Sequence, residues 1–230
     1  MSVILSIETS TSVCSTALSQ DGVCLTEKVK FEGPSHASQL SVFVQEMIIF
    51  AQEHSLAIDA VAVSCGPGSY TGLRIGVSTA KGLCYGWGVP LIAINSLEIM
   101  ADTVKGMVPD NALLCPMIDA RRMEVYAAFF DKKLQLIRPT SADIIDEHSY
   151  TDLLAEHPVY FFGNGADKCK TAITHPNANF LSEIHPIAKN MITLAAKAFE
   201  SKRFEDVAYF EPFYLKEFVA TTPKEKVIKN

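Results

Sequence analysis

The order of strand and helix patterns constrains the fold of this 230-residue chain more than any other feature. Near the N-terminus, three consecutive segments have the apolar or alternating character of β-strands, and Gly22 marks the turn between the second and the third. Two more strand segments follow, and helical patterns separate them, which implies that they join the sheet in parallel. The five predicted strands span residues 3–7, 13–19, 23–29, 60–65 and 91–95.

The helical patterns complete this unit. In the first helix the apolar residues form one stripe, but Val42 and Ile49 lie on the opposite side. Apolar residues on both sides indicate burial on both, and the sequence leaves open whether the second face packs within the domain or on a partner. Ser35 and Thr71 are the predicted N-caps of the first and second helices. The predicted helices span residues 35–54, 71–85 and 96–105.

The same pattern starts again after a break at residues 107–110. This repetition predicts an α/β protein with the actin-like (ASKHA) architecture of two tandem ribonuclease-H-like domains, residues 1–105 and 106–230. The tail after Pro223 is polar, and we expect it to fray. The predicted strands of the second half span residues 113–118, 124–130, 134–138 and 159–162, and the predicted helices span 149–156 and 188–201.

The composition indicates a globular protein of a reducing compartment. Hydrophobic residues make up 48% of the chain and charged residues 20%, and the six cysteines form no C-x-x-C pair. The formal charge of −6 argues against a surface that binds a nucleic-acid backbone by itself. The N-terminus has no basic leader, and no apolar stretch is long enough to span a bilayer. We therefore expect a cytoplasmic protein without membrane contact.

Two segments occupy the positions of the phosphate clamp in actin-like nucleotide-binding proteins. At the end of the first strand, Glu8 replaces the usual Asp and the turn that follows has no glycine. In the second segment, Arg121 and Arg122 replace the consecutive glycines of a working clamp, and their side chains block close backbone approach. We predict a vestigial nucleotide site and no kinase or ATPase activity. The residues of this site are Glu8, Thr9, Ser10, Asp119 and Arg121.

The glycine-rich run at residues 66–76 ends a strand and opens a helix. Within that helix Gly72, Gly76 and Ala80 recur every four residues, although glycine in a helix costs about 1 kcal/mol. Such a ridge permits close approach, either by the chain's own sheet or by a partner. The run contains no lysine, which argues against a phosphate-binding loop. We therefore predict packing as its role, within the chain or between chains.

Taken together, these segments resemble the TsaB family, which belongs to the glycoprotease (TsaD-like) group. The resemblance rests on residues 4–11, 66–83 and 117–126, with further support at 34–36 and 211–216, so it covers nearly the whole chain. It implies a dimerisation subunit of the complex that makes N6-threonylcarbamoyladenosine in bacterial tRNA. The implied partners are the catalytic paralogue TsaD, in a heterodimer, and the ATPase TsaE, with tRNA contacted only indirectly.

The resemblance also implies which surface binds the partner. In this family the helices placed here at 36–54 and 71–85 form the contact with TsaD, and they form a homodimer when the partner is missing. We expect that a bulky residue at Gly72 or Gly76 abolishes partner binding and leaves the chain folded. The predicted interface residues are His36, Leu40, Val42, Phe43, Ile49, Tyr70, Thr71, Gly72, Arg74, Ile75, Gly76, Thr79 and Ala80.

One difference separates this sequence from the catalytic paralogue. In TsaD two histidines follow the strand equivalent to residues 91–94 and bind a metal, whereas Ser96 and Met100 occupy their positions here. We therefore predict no metal, no cofactor and no catalytic activity, and a subunit that binds and activates TsaD. One alternative function is a phosphotransferase that uses Glu8, Thr9, Ser10 and Asp119, and another is a nucleotide-sensing regulator. A peptidase would need a metal or an activated nucleophile, and the sequence offers no motif for either.

Overall fold

A computed structural model of the protein describes residues 2–31 and 36–215. The predicted N-cap Ser35 and the tail after Pro223 lie outside the described residues. The first half forms five strands and three helices in the predicted order. They are β1 (Val3–Glu8), β2 (Cys14–Gln20), β3 (Val23–Lys30), α1 (His36–Glu53), β4 (Ala60–Gly66), α2 (Tyr70–Trp87), β5 (Leu91–Asn95) and α3 (Ser96–Val104).

The first sheet has the strand order β3-β2-β1-β4-β5. β1 to β3 form an antiparallel meander, whereas β4 and β5 are added in parallel on the other side of β1, as predicted. The central strand β1 is buried on both faces, because α1 and α2 cover one face and elements of the second half cover the other.

The second sheet repeats this arrangement with the order β10-β9-β6-β7-β8. Its first three strands are antiparallel, and its last two are parallel additions beside β6. The predicted structural duplication is therefore present. The elements of the second half are β6 (Leu113–Asp119), β7 (Glu124–Phe130), β8 (Leu136–Ile144), α4 (Thr151–Glu156), β9 (Val159–Phe162), β10 (Ala178–Leu181), a 3-10 turn (Ala188–Met191) and α5 (Ile192–Glu200).

The structure corrects several boundaries in the second half. The strand predicted at 134–138 begins at Leu136 and runs to Ile144, because Asp131 organises a longer turn. Its side chain accepts hydrogen bonds from the N–H groups of Lys133 and Gln135, and Leu134 has a φ of 63°.

The helices of the second half and its last strand also differ from the predicted ones. The helix predicted at 149–156 starts at Thr151, because Tyr150 adopts a left-handed conformation with a φ of 63°. The helix predicted at 188–201 opens with the 3-10 turn, and α5 itself covers Ile192–Glu200. The sequence reading missed β10, a short and half-buried edge strand.

Each sheet packs against a helix that comes from the other half of the sequence. α3 follows the first sheet in sequence, but Leu97, Met100 and Val104 pack against the second sheet. In the other direction, Leu194 and Ala198 of α5 pack against the first sheet. The division at residues 105 and 106 stays a prediction.

In the described part of the chain, no helix combines the length and the apolar character that crossing a membrane requires.

Candidate functional site

The start of α2 is fixed by a side-chain cap. Ser69 has extended backbone angles, and its hydroxyl accepts a hydrogen bond from the N–H of Gly72 at 3.3 Å. The predicted cap, Thr71, instead lies exposed within the first turn. At the other end Gly88 adopts a left-handed conformation and closes the helix.

The glycines of the 66–76 run face the interior of the chain. A Cβ added to Gly72 would lie 2.1 Å from the carbonyl oxygen of Thr9, and one added to Gly76 would lie 2.3 Å from the Thr9 hydroxyl. A Cβ on Gly68 would lie 2.2 Å from the carbonyl oxygen of Ser10. No real Cβ tolerates these distances, so glycine is required for the loop and for α2 to reach the turn after β1.

This placement decides the alternative that the sequence left open for the glycine ridge. Gly72, Gly76 and Ala80 are all buried against the chain's own sheet. They were predicted to lie at a partner interface, but they are packing surface within the chain and not a surface open to a partner. The physical reason is their position on the inward face of α2, directly above β1 and β4.

Gly66 has a different intramolecular neighbour, which we call the C-terminal strap (residues 205–214). Gly66 has a φ of 106°, and an added Cβ would lie 2.8 Å from the carbonyl oxygen of Phe213. The N–H of Phe213 donates to the carbonyl of Cys65 at 2.7 Å. Farther along α2, the Lys81 ammonium donates to strap carbonyls, that of Ala208 at 3.1 Å and that of Phe210 at 2.9 Å. The strap is therefore fastened along the side of α2.

The turn between β1 and β2, residues 9–13, is the first hairpin, and it holds both α1 and α2. The Thr9 hydroxyl donates to the carbonyl of Gly72 at 2.8 Å, and the N–H of Ser69 donates to the carbonyl of Ser10 at 2.7 Å. His36, in the first turn of α1, donates from Nε2 to the carbonyl of Thr11 at 2.8 Å. Because a carbonyl only accepts, this bond requires the proton on Nε2.

Glu8 ends β1 beneath this hairpin and is fully buried. Its Oε1 accepts a hydrogen bond from the N–H of Ser10. Burial raises the pKa of Glu8 to about 7, although the N–H of Ser10 and the neighbouring hydroxyls of Ser10 and Ser64 oppose the shift. Among the described residues, Glu8 Oε2 has no hydrogen-bond partner. Near neutral pH the carboxyl group therefore titrates between a neutral form and an unpaired buried charge.

The turn between β6 and β7, residues 120–123, is the second hairpin, and it is open to solvent. Arg121 and Arg122 are exposed and have φ values of 73° and 50°, in the left-handed region that glycine prefers. Asp119 accepts a hydrogen bond from the N–H of Arg121 at 3.1 Å. It also forms an ion pair with Lys168, whose ammonium donates to the carbonyl of Glu124 at 2.7 Å.

The first hairpin does not fit a nucleotide phosphate. A phosphate loop offers backbone N–H groups to the anion, but the N–H of Ser10 is bonded to Glu8 and that of Val13 to the Thr11 hydroxyl. The loop at Gly68 also lies directly against Ser10. Of the predicted vestigial site, Glu8, Thr9 and Ser10 are thus buried structural residues. Asp119 and Arg121 lie on the open second hairpin, and their part in a vestigial nucleotide site stays a prediction.

The positions that correspond to the metal ligands of the catalytic paralogue lie in the core. Ser96 and Met100 are both fully buried in α3, which Asn95 caps by accepting from the N–H of Leu97 at 2.8 Å. The Met100 sulfur lies 3.1 Å from the position of a Cβ on Gly163, so its side chain packs on the loop after β9. These residues link α3 to the second sheet.

The outward faces of α1 and α2 form one surface, the two-helix surface. Val42 and Ile49 are 45% and 44% exposed on α1, so the second apolar side predicted for this helix is open and not buried within the domain. Leu40 and Phe43 face the core, a correction to their predicted interface position. On α2 the outward residues are Thr71, Arg74, Ser78, Gly82 and Tyr85. Four other predicted interface residues are partly buried, namely His36 on α1 and Tyr70, Ile75 and Thr79 on α2.

Two further glycines on α2, Gly82 and Gly86, were not among the predicted interface residues. Gly82 and Gly86 are exposed, and an added Cβ on either would meet nothing within 4 Å. Each lowers helix stability by about 1 kcal/mol, and no contact with the described residues requires a glycine there. The four-residue spacing of Gly82 and Gly86 was visible in the sequence, but their outward direction depends on how α2 sits on the sheet.

The two-helix surface carries little free charge. α1 contains no lysine or arginine; its Glu46 pairs with Lys28 of β3 at 2.6 Å, and its Glu53, in the last turn, is exposed. α2 contains Arg74 and Lys81, and Lys81 is bonded to the strap. Depletion of charge around exposed apolar residues is characteristic of the core of a protein–protein interface.

Sequence relatives support the resemblance. A family model described as "TsaD: tRNA N6-adenosine threonylcarbamoyltransferase" matches residues 31–224. The tRNA threonylcarbamoyladenosine biosynthesis protein TsaB of Bacillus subtilis is 29% identical over 173 residues, which cover 74% of this chain and 74% of that protein. The TsaB protein of Escherichia coli K12 is 36% identical over 131 residues, which cover 56% of this chain and 55% of that protein. The chain thus matches about half to three quarters of the length of these relatives.

Solved structures agree with the fold. A Pseudomonas aeruginosa protein with similarity to the peptidase YeaZ has a TM-score of 0.81 and 25% identity, with 94% of this chain and 100% of that chain covered. YeaZ from the same organism has a TM-score of 0.78 and 26% identity over the same shares. An ADPNP-bound dehydratase activator from Clostridium difficile, at 10% identity, covers 87% of this chain and 96% of that chain with a TM-score of 0.50, and it shows the fold alone.

The predicted actin-like α/β fold is confirmed by these neighbours. Since the family model covers most of the chain and the relatives named TsaB agree with it, this chain belongs to the TsaD family and, within it, to the TsaB group.

Proposed function

We propose that this chain is a non-catalytic subunit in the synthesis of N6-threonylcarbamoyladenosine in tRNA, and that it binds and activates the catalytic paralogue TsaD through the two-helix surface. The observation that carries the proposal is the apolar and nearly charge-free outward face of α1 and α2. Val42 and Ile49 are exposed there, and among the described residues the fold does not bury either side chain.

The outward glycines support the same surface. Gly82 and Gly86 weaken α2 without relieving any close contact with the part of the chain that the structure describes. A partner whose backbone comes close to α2 would account for them, because a side chain there would hold the two surfaces apart. The proposed contact is thus displaced along α2 from the inward Gly72 and Gly76, toward the C-terminal end of the helix.

The test is co-expression with the TsaD paralogue of the same organism, followed by affinity purification and calorimetry. Val42→Asp and Ile49→Asp each place a charge in the proposed contact, and we expect each to weaken binding at least about 100-fold, since charges are depleted at interface cores. Ile144→Asp is the matched control, because Ile144 is 76% exposed on β8 of the second sheet. Wild-type affinity in both helix variants would refute the proposed surface.

Assembly with TsaE, indirect contact with tRNA and a homodimer of the isolated chain belong to the same proposal. Sedimentation of the chain alone should show a monomer–dimer equilibrium that Val42→Asp shifts toward the monomer. If the chain forms dimers that Val42→Asp and Ile49→Asp leave intact, the homodimer does not use this surface.

A nucleotide-sensing regulator is the second candidate, and one observation favours it. Arg121 and Arg122 stand exposed on the second hairpin without an ion-pair partner among the described residues. Calorimetry of the isolated chain with ATP and magnesium tests this function. Binding that Arg121→Gln and Arg122→Gln together abolish would support it, and no measurable heat would remove it.

A further inference from the structure

The cation Arg74 stands out on the two-helix surface. Its side chain is exposed, and α1 and α2 carry only one other lysine or arginine, Lys81, which the strap engages. Among the described residues, no carboxylate lies within ion-pair distance, 4.0 Å, of the Arg74 guanidinium. The nearby charges of Arg74 and Glu211 have opposite effects on the pKa of Tyr214 in the strap. The positive charge is therefore available to another molecule.

The fold holds this guanidinium in place. Arg74 Nη1 donates to the hydroxyl of Tyr70 at 2.9 Å, and the guanidinium carbon lies 5.3 Å from the centre of the Tyr70 ring. The Tyr70 ring in turn packs on Tyr214 of the strap, with 4.9 Å between the ring centres. An arginine ordered before binding loses less side-chain entropy when it forms an ion pair.

The strap that carries Tyr214 is itself anchored. Phe213, its neighbour, is hydrogen-bonded to Cys65, and Val207 and Phe210 pack into the core beneath α2. The ring of Tyr214 is therefore positioned by contacts that cross more than half of the sequence. The strap thus supplies a support for Arg74 that α2 alone does not have.

We propose that Tyr70, Arg74 and Tyr214 form the charged anchor of the two-helix surface, and that the partner that binds it, the catalytic paralogue, presents a carboxylate to Arg74. This inference rests on the proposed function. Charge complementarity is its basis: on a mostly apolar surface, Arg74 is a cation held in place and unpaired among the described residues, and it selects a partner that places an acidic group opposite it. Arg74 presents two N–H groups to a carboxylate in fork geometry, which lysine does not reproduce.

The experiment measures the affinity for the purified paralogue by calorimetry at low and high sodium chloride. We expect Arg74→Gln to weaken binding at least tenfold at low salt and to reduce the salt dependence, because one ion pair is lost. Arg74→Lys should recover only part of the affinity, and Tyr214→Leu should weaken binding several-fold through loss of the support. Arg203→Gln, at another exposed arginine, is the matched control.

The outcomes separate this inference from the proposed function. If Arg74→Gln keeps the wild-type affinity and salt dependence while Val42→Asp abolishes binding, the surface is right and the anchor is refuted. If both variants bind like the wild type, both proposals fail. If Arg74→Gln changes only self-association in sedimentation, the occupant is a second copy of this chain, which overturns the assignment to the paralogue. Unchanged melting temperatures for Arg74→Gln and Tyr214→Leu show that the variants are folded.

Discussion

The hairpins that join β1 to β2 and β6 to β7 occupy equivalent positions in the two sheets. In each, the carboxylate at the end of the preceding strand accepts a hydrogen bond from the N–H two residues later, Ser10 for Glu8 and Arg121 for Asp119. Their surroundings differ. Glu8 is fully buried, whereas Asp119 is exposed and paired with Lys168.

This difference shows how a duplicated fold assigns separate roles to equivalent turns. The first hairpin lies under the glycine-rich loop, and Thr9, Ser10 and Thr11 hold α1 and α2 in place. The second hairpin contacts its own half through Lys168 and Asn164 and leaves its arginines in solvent. The first has become part of the support for the two-helix surface, and the second has kept an open, cationic turn.

The largest expected effect concerns the contact of α2 with the first hairpin. Gly72→Ala places a methyl group 2.1 Å from the carbonyl oxygen of Thr9, so we expect a loss on the order of 4 kcal/mol in unfolding free energy. This corrects the expectation that a bulky residue at Gly72 or Gly76 leaves the chain folded. Urea denaturation measures the effect.

Gly82→Ala is the matched control for Gly72→Ala, because it is the same substitution in the same helix with open space around it. We expect it to stabilise the chain by about 1 kcal/mol, the helix propensity gained by replacing glycine. Equal and small effects at the two positions would contradict the close packing of α2 on the first hairpin.

The second prediction concerns the buried carboxyl group of the first hairpin. The pKa of Glu8 is raised by burial to about 7 in the folded chain, from an unfolded value of 4.5. The folded state therefore binds the proton more tightly, and the contribution of Glu8 to stability is full below pH 4.5 and is lost as the pH rises through 7. Linkage gives a loss of about 2.5 kcal/mol in unfolding free energy between pH 5 and pH 8.

Glu8→Gln removes this titration and keeps an oxygen that accepts the N–H of Ser10. We expect the variant to be more stable than the wild type at pH 8 and to have a flatter stability curve from pH 5 to pH 8, measured by urea denaturation at each pH. Asp119→Asn, the equivalent change in the exposed second hairpin, should leave that part of the curve unchanged. Parallel curves for the wild type and Glu8→Gln would contradict the buried, unpaired state of this carboxyl group.

The smallest expected effect is in the second hairpin. Arg121 and Arg122 both have positive φ, a conformation that costs a non-glycine residue about 1–2 kcal/mol of folding free energy. Glycine removes this cost, but it lowers stability by about 0.4–1 kcal/mol because it raises the conformational entropy of the unfolded chain. Arg122→Gly should therefore stabilise the chain by about 0.5 kcal/mol, visible as a melting temperature about 1–2 °C higher. A clear destabilisation would show that the arginine side chain makes contacts that offset the strain.

Much of the fold could be predicted from the sequence because its patterns are local. Alternating apolar residues marked β1 to β3, and continuous apolar runs marked β4, β5 and β9, within one or two residues of the observed ends. The prediction failed where tertiary contacts or side-chain turns decide the boundary. β10 is short and pairs only with β9, and Asp131 delays β8 through hydrogen bonds that a hydrophobic pattern does not contain.

The candidate site was predictable in position but not in direction. The sequence identified α1, α2 and the second apolar side at Val42 and Ile49, but it left open what the glycine ridge faces. The family resemblance placed that ridge at the partner interface, and the structure places it against the chain's own sheet. Helical spacing shows which residues share a face, and it does not show what that face meets. The strap was missed for a related reason, since its bonds to Lys81 join residues more than a hundred positions apart.

By itself the sequence determined the order of the elements, the duplication and the presence of the glycine-rich run at residues 66–76. These follow from chemistry that is local in the chain, namely apolar periodicity and the absence of a Cβ. Only the tertiary structure decided that Thr9, Ser10 and Phe213 are the groups that approach those glycines, and that Gly82, Val42 and Arg74 face outward. The reason is geometric: the direction of a helix face is set by the sheet on which the helix packs, and that sheet is assembled from strands distant in sequence.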